Sequence, residues 1–131
     1  MPLPVTALFA GFNILLMCWL AVRVIRIRQT GISLGDGGNP TLQRLIRGHG
    51  NAAEYMPLGL IMLGLTEGMG APGWTVALLG LGFTAGRLAH ALHFADILSE
   101  GKWRAWGMMA TFAALALGAF GLIGHALFMA L

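Results

Sequence analysis

Three polar side chains that can form a ligand site follow one another at helical spacing near the middle of the chain. Arg47, Asn51 and Glu54 are separated by four and then three residues, so they fall within about 60° of one another on one helix face. The uncharged run that follows, from Tyr55 to Thr66, is shorter than the roughly 20 residues that cross a bilayer. The polar face must therefore lie partly inside a membrane, where ionisable groups persist mainly at functional sites or in pairs.

More basic side chains are expected at the same level of the protein. Arg28 ends the first apolar segment, and Arg104 opens the fourth. Arg87 and His90 lie towards the end of the third. In an antiparallel bundle these positions meet near one membrane boundary, which predicts a pocket with at least three guanidinium groups. Guanidinium binds carboxylate through two parallel hydrogen bonds, so the pocket favours an anionic ligand with carboxylates.

Two roles remain open for Glu54. Its carboxylate can hold an amine of the ligand, or it can neutralise Arg47 or Arg87 as a structural ion pair. Arg23 and Arg26 have a simpler expected role, because arginines beside an apolar run usually extend to the lipid boundary and set the topology.

Composition indicates an all-α integral membrane protein. The 131 residues are 57% hydrophobic and 10% charged, whereas a soluble domain carries about a quarter charged residues. The net charge of +3 comes from basic residues beside the apolar runs, and these do not form the aromatic-interleaved clusters of a nucleic-acid-binding protein. We expect them to contact anionic membrane lipids. The single cysteine, Cys18, excludes a disulfide within the chain.

The apolar runs predict one membrane domain, residues 1–131, built as a bundle of four transmembrane helices. We expect these helices at about 4–27, 40–68, 74–94 and 103–130. Asn39 offers an N-cap for the second helix, and Pro40 suits its first position. Asn13 is expected to make a hydrogen bond between helices, and glycines four apart, such as Gly82 and Gly86, predict close helix packing.

Basic residues predict how the chain crosses the membrane. The loop after the first helix, with its flanks, holds five arginines, and the loop before the fourth helix is followed by Lys102 and Arg104. The turn at residues 69–73 has no basic residue. By the positive-inside rule both basic loops are cytoplasmic, and the turn and both termini lie on the far side.

Several common kinds of catalytic site have no counterpart in the sequence. There is no His-Glu-x-x-His metal motif, no Gly-x-Ser-x-Gly nucleophile motif and no phosphate-binding loop. No metal site is therefore predicted.

Four stretches of the chain resemble the MAPEG family, the membrane-associated proteins in eicosanoid and glutathione metabolism. They are Arg47-x3-Asn51-x2-Glu54-Tyr55-x-Pro57 with the apolar run to Glu67, Gly86-Arg87-Leu-Ala-His90, Arg104-Ala-Trp-Gly107-Met108, and residues 28–35. The last stretch is similar to the first cytoplasmic loop of small bacterial members. The resemblance covers nearly the whole chain.

The resemblance implies a homotrimer in a bacterial inner membrane that binds glutathione, as co-substrate, between subunits near the cytoplasmic face. It also implies that Arg104 activates the glutathione thiol. His90 and Phe94 stand where eicosanoid-synthesising members have tyrosines, which removes a hydroxyl from the ligand side. The positions that the resemblance assigns to glutathione binding are Arg28, Arg47, Asn51, Glu54, Tyr55, Arg87 and His90.

Two functions follow as hypotheses. The first is a membrane-bound transferase or peroxidase-like protein that joins glutathione to lipophilic small molecules entering from the membrane. The alternative is a non-enzymatic membrane scaffold or lipid-binding protein in which the same polar residues form a structural network, since a site can be inherited without its activity.

Overall fold

The computed structural model describes residues 2–131, which form four α-helices and no strand. α1, α3 and α4 are each long and apolar enough to cross a membrane. α2 has 29 residues and is also long enough, but it carries the polar face. The chain is thus an all-α integral membrane protein with a four-helix bundle. The helices are α1 (Pro4–Arg28), α2 (Pro40–Gly68), α3 (Gly73–Phe94) and α4 (Gly101–Ala130).

The helix ends follow local sequence signals. Asn39 Oδ1 accepts the backbone N–H of Leu42 at 3.0 Å, which confirms the predicted N-cap of α2. α4 shows the largest difference from expectation, because it begins at Gly101 and not at Trp103. The cause is the preceding residue Glu100, whose carbonyl accepts the N–H of Trp103 at 3.1 Å and so closes an earlier first turn.

α2 and α3 form the centre of the bundle. α1 packs against α2 and α3 on one side, α4 packs against them on the other, and α1 does not contact α4. Gly48 lies beside Phe94 and Gly59 beside Phe83, so α2 and α3 run in opposite directions. We call the end of the bundle where α1 and α3 finish and α2 and α4 begin the basic end, and the opposite end the far end.

α3 and α4 approach most closely where two glycines face each other. A Cβ added to Gly86 would lie 2.8 Å from the carbonyl oxygen of Gly107, and one added to Gly107 would lie 2.7 Å from the carbonyl oxygen of Gly86. The backbones therefore touch without side chains between them. Gly82, which shares the four-residue spacing, has no neighbour within 4 Å of an added Cβ.

At the far end, a carboxylate from α2 caps α1. Glu67 accepts the backbone N–H groups of Val5 and Thr6 at 3.0 and 2.7 Å. α1 has no side-chain cap from Leu3, which precedes it. Negative charge beside the free N–H groups of a helix stabilises that end, so Glu67 fixes the far end of α1 against α2.

At the basic end, two arginines cap α3. Arg44 donates to the carbonyl of His93 at 2.6 Å and to Asp96 at 2.9 Å, and Arg23 donates to the carbonyl of Ala95 at 2.8 Å. Cations favour the C-terminal end of a helix. Arg23 therefore does more than extend to the lipid boundary, because it also joins α1 to the end of α3.

Asn13 makes the hydrogen bond expected of it between helices. Its Nδ2 donates to Thr84 Oγ1 of α3 at 2.9 Å and to the carbonyl of Phe9 at 2.8 Å. The side chain is buried, so this polar contact links α1 to α3 within the apolar part of the bundle.

We predict that Gly86→Ala destabilises the bundle, because the new methyl group would force α3 away from the backbone of α4. The free energy of unfolding in detergent should fall by about 1–3 kcal/mol. Gly82→Ala is the matched control, and there the better helix propensity of alanine should raise stability by up to about 1 kcal/mol. Equal effects of the two substitutions would contradict the close contact at Gly86.

Candidate functional site

A cavity of about 730 Å³ opens at the basic end between α2, α3 and α4. Five of the eight predicted site residues line it: Arg47, Asn51, Glu54, His90 and Arg104. Phe94 and Met108 are among its apolar walls. The five predicted residues come from three helices, and two of them, Arg47 and Arg104, are 57 positions apart in sequence.

The α2 wall of the cavity is the helix face described from the sequence. Arg47, Asn51 and Glu54 all line the cavity, and Gly50 lies among them without a side chain. The position of Gly50 leaves open space, since an added Cβ would have no neighbour within 4 Å. The four residues recur at the i, i+3, i+4, i+7 spacing of one helix face, so the wall follows from α2 being regular here.

The charged groups of the cavity have no partners among residues 2–131. Arg47, Glu54 and Arg104 are exposed, and none of them makes a side-chain hydrogen bond or ion pair with another residue of 2–131. The ion pair of Glu54 with Arg47 or Arg87, which the sequence left open, is therefore not formed in this part of the chain. Two guanidinium groups and one carboxylate remain available to a ligand.

Arg87 lies behind the cavity and not on its surface. Its side chain is buried, and its guanidinium donates to three side chains: Nη1 to Asn51 Oδ1 at 2.8 Å, Nε to Thr111 Oγ1 at 3.0 Å, and Nη2 to Met108 Sδ at 3.2 Å. Thr111 in turn donates to the carbonyl of Gly107 at 2.7 Å. Arg87 thus holds Asn51 and Met108, which do line the cavity.

Tyr55 supports Arg87 from α2. The Arg87 guanidinium carbon lies 5.3 Å from the centre of the Tyr55 ring, within the range of cation–π attraction. The same ring packs edge-on against Phe112 of α4, with 5.6 Å between ring centres. Tyr55 does not line the cavity, so in the single chain it packs behind the site and does not face a ligand.

His90 lies at the junction of α3 and α4. It is buried, lines the cavity, and its ring lies 5.0 Å from that of Phe94. Its backbone contacts Gly107, where an added Cβ would come within 2.7 Å of the His90 nitrogen. A side chain at position 107 would therefore push α4 away from His90.

Arg28 does not belong to this cavity in a single chain. It ends α1, and its Nη2 contacts the carbonyl of Gly35 at 3.5 Å in the following loop. Because α1 does not contact α4, its last turn lies on the opposite side of the α2–α3 pair. Arg28 therefore does not lie with the other predicted site residues in a single chain, and its part in ligand binding stays a prediction. The sequence indicates the depth of a residue in the membrane but not the side of the bundle on which it lies.

Two residues of the site were missed in the sequence. Met108 was noted only as part of a motif, and Thr111 was not singled out. Thr111 is fully buried and accepts the Arg87 N–H, and it is the only hydroxyl-bearing residue of α4. The sequence feature that could have identified Thr111 was a single hydroxyl in an otherwise apolar helix. No group of three or more metal-binding side chains occurs among residues 2–131.

Comparison with known sequences finds relatives over most of the chain. A sequence model of the MAPEG family matches residues 6–124. The chain is 41% identical over 114 residues to the inner membrane protein YecN of Escherichia coli strain K12, with 86% of each chain covered. The same values hold for YecN of Escherichia coli O6:H1 strain CFT073. The residues that the family model matches include all those that line the cavity.

We predict that Thr111→Val destabilises the protein by about 1–3 kcal/mol, because it removes the acceptor of a buried guanidinium N–H and leaves that donor without a partner. Chemical unfolding in detergent measures this change. Thr75→Val is the control, since Thr75 is half-buried in α3 at the far end and its hydroxyl bonds no residue of 2–131. A loss no larger than that of the control would contradict the role of Thr111.

Proposed function

The chain belongs to the MAPEG family, and we propose that it is a membrane-bound glutathione transferase, or a related peroxidase-like protein, that joins glutathione to lipophilic electrophiles. The observation that carries the proposal is the set of unpaired charges at one cavity. Arg47 and Arg104 present guanidinium groups and Glu54 presents a carboxylate, while the buried Arg87 donates from all three of its nitrogens to side chains inside the protein.

Glutathione carries charges that are opposite to those of the cavity side chains. Its two carboxylates match the two free guanidinium groups, each of which can donate two parallel hydrogen bonds to a carboxylate. Its amine matches the carboxylate of Glu54. The Asn51 side chain, fixed by Arg87, supplies a polar group of known orientation beside them. A site prepared in this way orients the tripeptide with little further ordering.

Arg104 is the residue we propose to activate the thiol. The reactive form is the thiolate, and an unperturbed thiol with a pKa of about 8.5 is mostly protonated at neutral pH. A nearby guanidinium stabilises the thiolate and so increases its fraction. The sulfur then attacks the electrophilic carbon, the leaving group departs with its bonding electrons, and the thiol proton passes to water.

The position of the cavity suits two substrates of different solubility. It lies at the basic end, where the positive-inside rule puts the cytoplasm and its soluble glutathione. Its apolar walls, including Phe94 and Met108, adjoin helices whose outer surfaces are apolar and exposed. A lipophilic electrophile can therefore enter from the membrane while glutathione enters from water.

We also propose that the protein works as a homotrimer in a bacterial inner membrane. YecN, its relative, is named as an inner membrane protein. Trimer formation gives Arg28 a role, because the α1 end of one copy can complete the cavity of its neighbour. Single-chain packing leaves large exposed apolar side chains on α1 and α4, such as Phe12 and Phe120, which are available to lipid or to another copy.

One observation favours the scaffold function. Arg87, Asn51 and Thr111 form a hydrogen-bonded group that joins α3 to both α2 and α4, and such a group stabilises the bundle whether or not a ligand binds. The scaffold function predicts that glutathione up to millimolar concentration gives no heat of binding in detergent. The transferase function predicts saturable binding.

We predict that the purified protein turns over glutathione with a chlorinated nitroaromatic, and that Arg104→Ala lowers this rate by about 100-fold, as expected for loss of a group that stabilises the developing charge. The absorbance of bound thiolate should fall in the same variant. Lys102→Ala is the matched control, because Lys102 is a neighbouring cation that does not line the cavity. Equal rates for the wild type and Arg104→Ala would contradict the assignment of Arg104.

We predict that Glu54→Gln weakens glutathione binding through loss of the charged contact to the ligand amine. Calorimetry should show an affinity at least about tenfold lower, the equivalent of roughly 1.4 kcal/mol, with no change in oligomer mass. Glutathione lacking its amine should bind the wild type and Glu54→Gln equally. Glu100→Gln, an exposed carboxylate outside the cavity, is the control. If the variant loses equal affinity for both ligands, Glu54 does not bind the amine.

A further inference from the structure

A second cavity of about 300 Å³ lies at the basic end, beside α1. We call it the boundary pocket and define it by Arg23 of α1, by Pro40, Thr41, Arg44 and Leu45 of α2, and by Phe94, Ala95 and Asp96 at the end of α3. Phe94 lines both cavities, so the two are neighbours. None of the charged residues of the candidate functional site lines the boundary pocket.

The boundary pocket carries a net positive charge. Arg23 and Arg44 contribute two guanidinium groups, and Asp96 contributes one carboxylate, which is already paired with Arg44 at 2.9 Å. One positive charge therefore remains without a counter-charge among the residues that line the pocket. An anion is the ligand that balances this charge.

The guanidinium groups have unused hydrogen-bond donors. Each has five N–H groups, yet Arg23 uses only Nη2, to the carbonyl of Ala95, and Arg44 uses only Nη2, to His93 and Asp96. The Nε of Arg23 is buried with no acceptor among residues 2–131. The N–H groups that Arg23 and Arg44 leave unused on their Nη atoms are the donors that a ligand in the pocket can accept from.

The N-terminal end of α2 also attracts an anion to the boundary pocket. Pro40 and Thr41 are the first residues of this 29-residue helix, and both line the boundary pocket. Asn39 already caps the N–H of Leu42, but the N–H of Thr41 has no acceptor in the helix itself. The positive end of the helix dipole favours phosphate at this position.

The pocket also lies at the depth of lipid headgroups. Arg23 directly follows the apolar run of α1 that ends at Val22, and its guanidinium lies 5.2 Å from the ring centre of Trp19. Tryptophan beside arginine is typical of the membrane boundary. Basic pockets between transmembrane helices at this level suit phospholipid headgroups.

We propose that the boundary pocket binds the phosphate of an anionic phospholipid, held by Arg23, Arg44 and the first turn of α2. This inference does not rest on glutathione binding, because the two cavities have no charged residue in common. Bound lipid would stabilise the junction where Arg23 and Arg44 fasten the end of α3.

The test compares two substitutions that add the same charge two residues apart, one in the wall of the pocket and one outside it. Thr41→Glu adds a carboxylate to the pocket wall, whereas Gln43→Glu adds one at an exposed site outside it. Both are in the first turn of α2, where a carboxylate stabilises the helix, so both variants should fold. Native mass spectrometry of delipidated protein titrated with phosphatidylglycerol should show about fivefold weaker binding for Thr41→Glu and none of this loss for Gln43→Glu.

A second pair tests the arginine. Arg23→Gln should weaken phosphatidylglycerol binding, while Arg26→Gln removes an exposed arginine of the same helix that does not line the pocket and should leave binding unchanged. Thermal unfolding without lipid is measured for all four variants. Phosphatidylglycerol should raise the unfolding temperature of the wild type more than it raises that of Thr41→Glu.

Three results would overturn the proposal. The first is equal loss of binding in Thr41→Glu and Gln43→Glu, which would indicate general surface charge. The second is equally tight binding of phosphatidylcholine, whose net charge is zero. The third is binding of inorganic phosphate at concentrations at which phosphatidylglycerol does not bind, which would assign the pocket to a soluble phosphate.

Discussion

The buried guanidinium of Arg87 is the interaction on which the arrangement of three helices depends. A charge removed from water destabilises a protein strongly unless its hydrogen bonds are satisfied. Here α2 supplies Asn51 and the ring of Tyr55, and α4 supplies Thr111 and Met108. Because the acceptors come from both neighbours of α3, moving either helix would leave an unpaired donor. The rotation of α2 and α4 about their axes is thereby restricted.

Close packing of α3 and α4 makes this network possible. The glycine contact between residues 86 and 107 brings the two backbones together. Arg87 directly follows the first glycine, Thr111 lies one turn after the second, and the two side chains are at hydrogen-bonding distance. The same approach buries His90 beside the cavity. Small residues and a buried polar network therefore act together, since the network needs a short helix separation and the glycines allow it.

The polar groups divide into those that the fold uses and those that it leaves free. Glu67 accepts backbone N–H groups at the start of α1, and Arg23 and Arg44 donate to backbone carbonyls at the end of α3. Arg87 donates to neighbouring side chains inside the bundle. Arg47, Glu54 and Arg104 do none of this. Charged side chains near a membrane that have no structural partner can give all their hydrogen bonds to a ligand, which is why the cavity, and not the buried network, carries the proposed function.

The sequence by itself determined the four helices, the N-cap at Asn39 and the polar face of α2, because apolar run length, capping and helical period are local properties. It also placed the basic residues at one level. Only the tertiary structure decided that Arg87 lies behind the site, that Arg28 lies on the other side of the bundle, and that Gly86 is a contact while Gly82 is not. Those outcomes depend on how each helix is rotated and which helices are neighbours. Packing between residues far apart in the chain determines both the rotation of each helix and its neighbours, and a local sequence pattern does not contain this information.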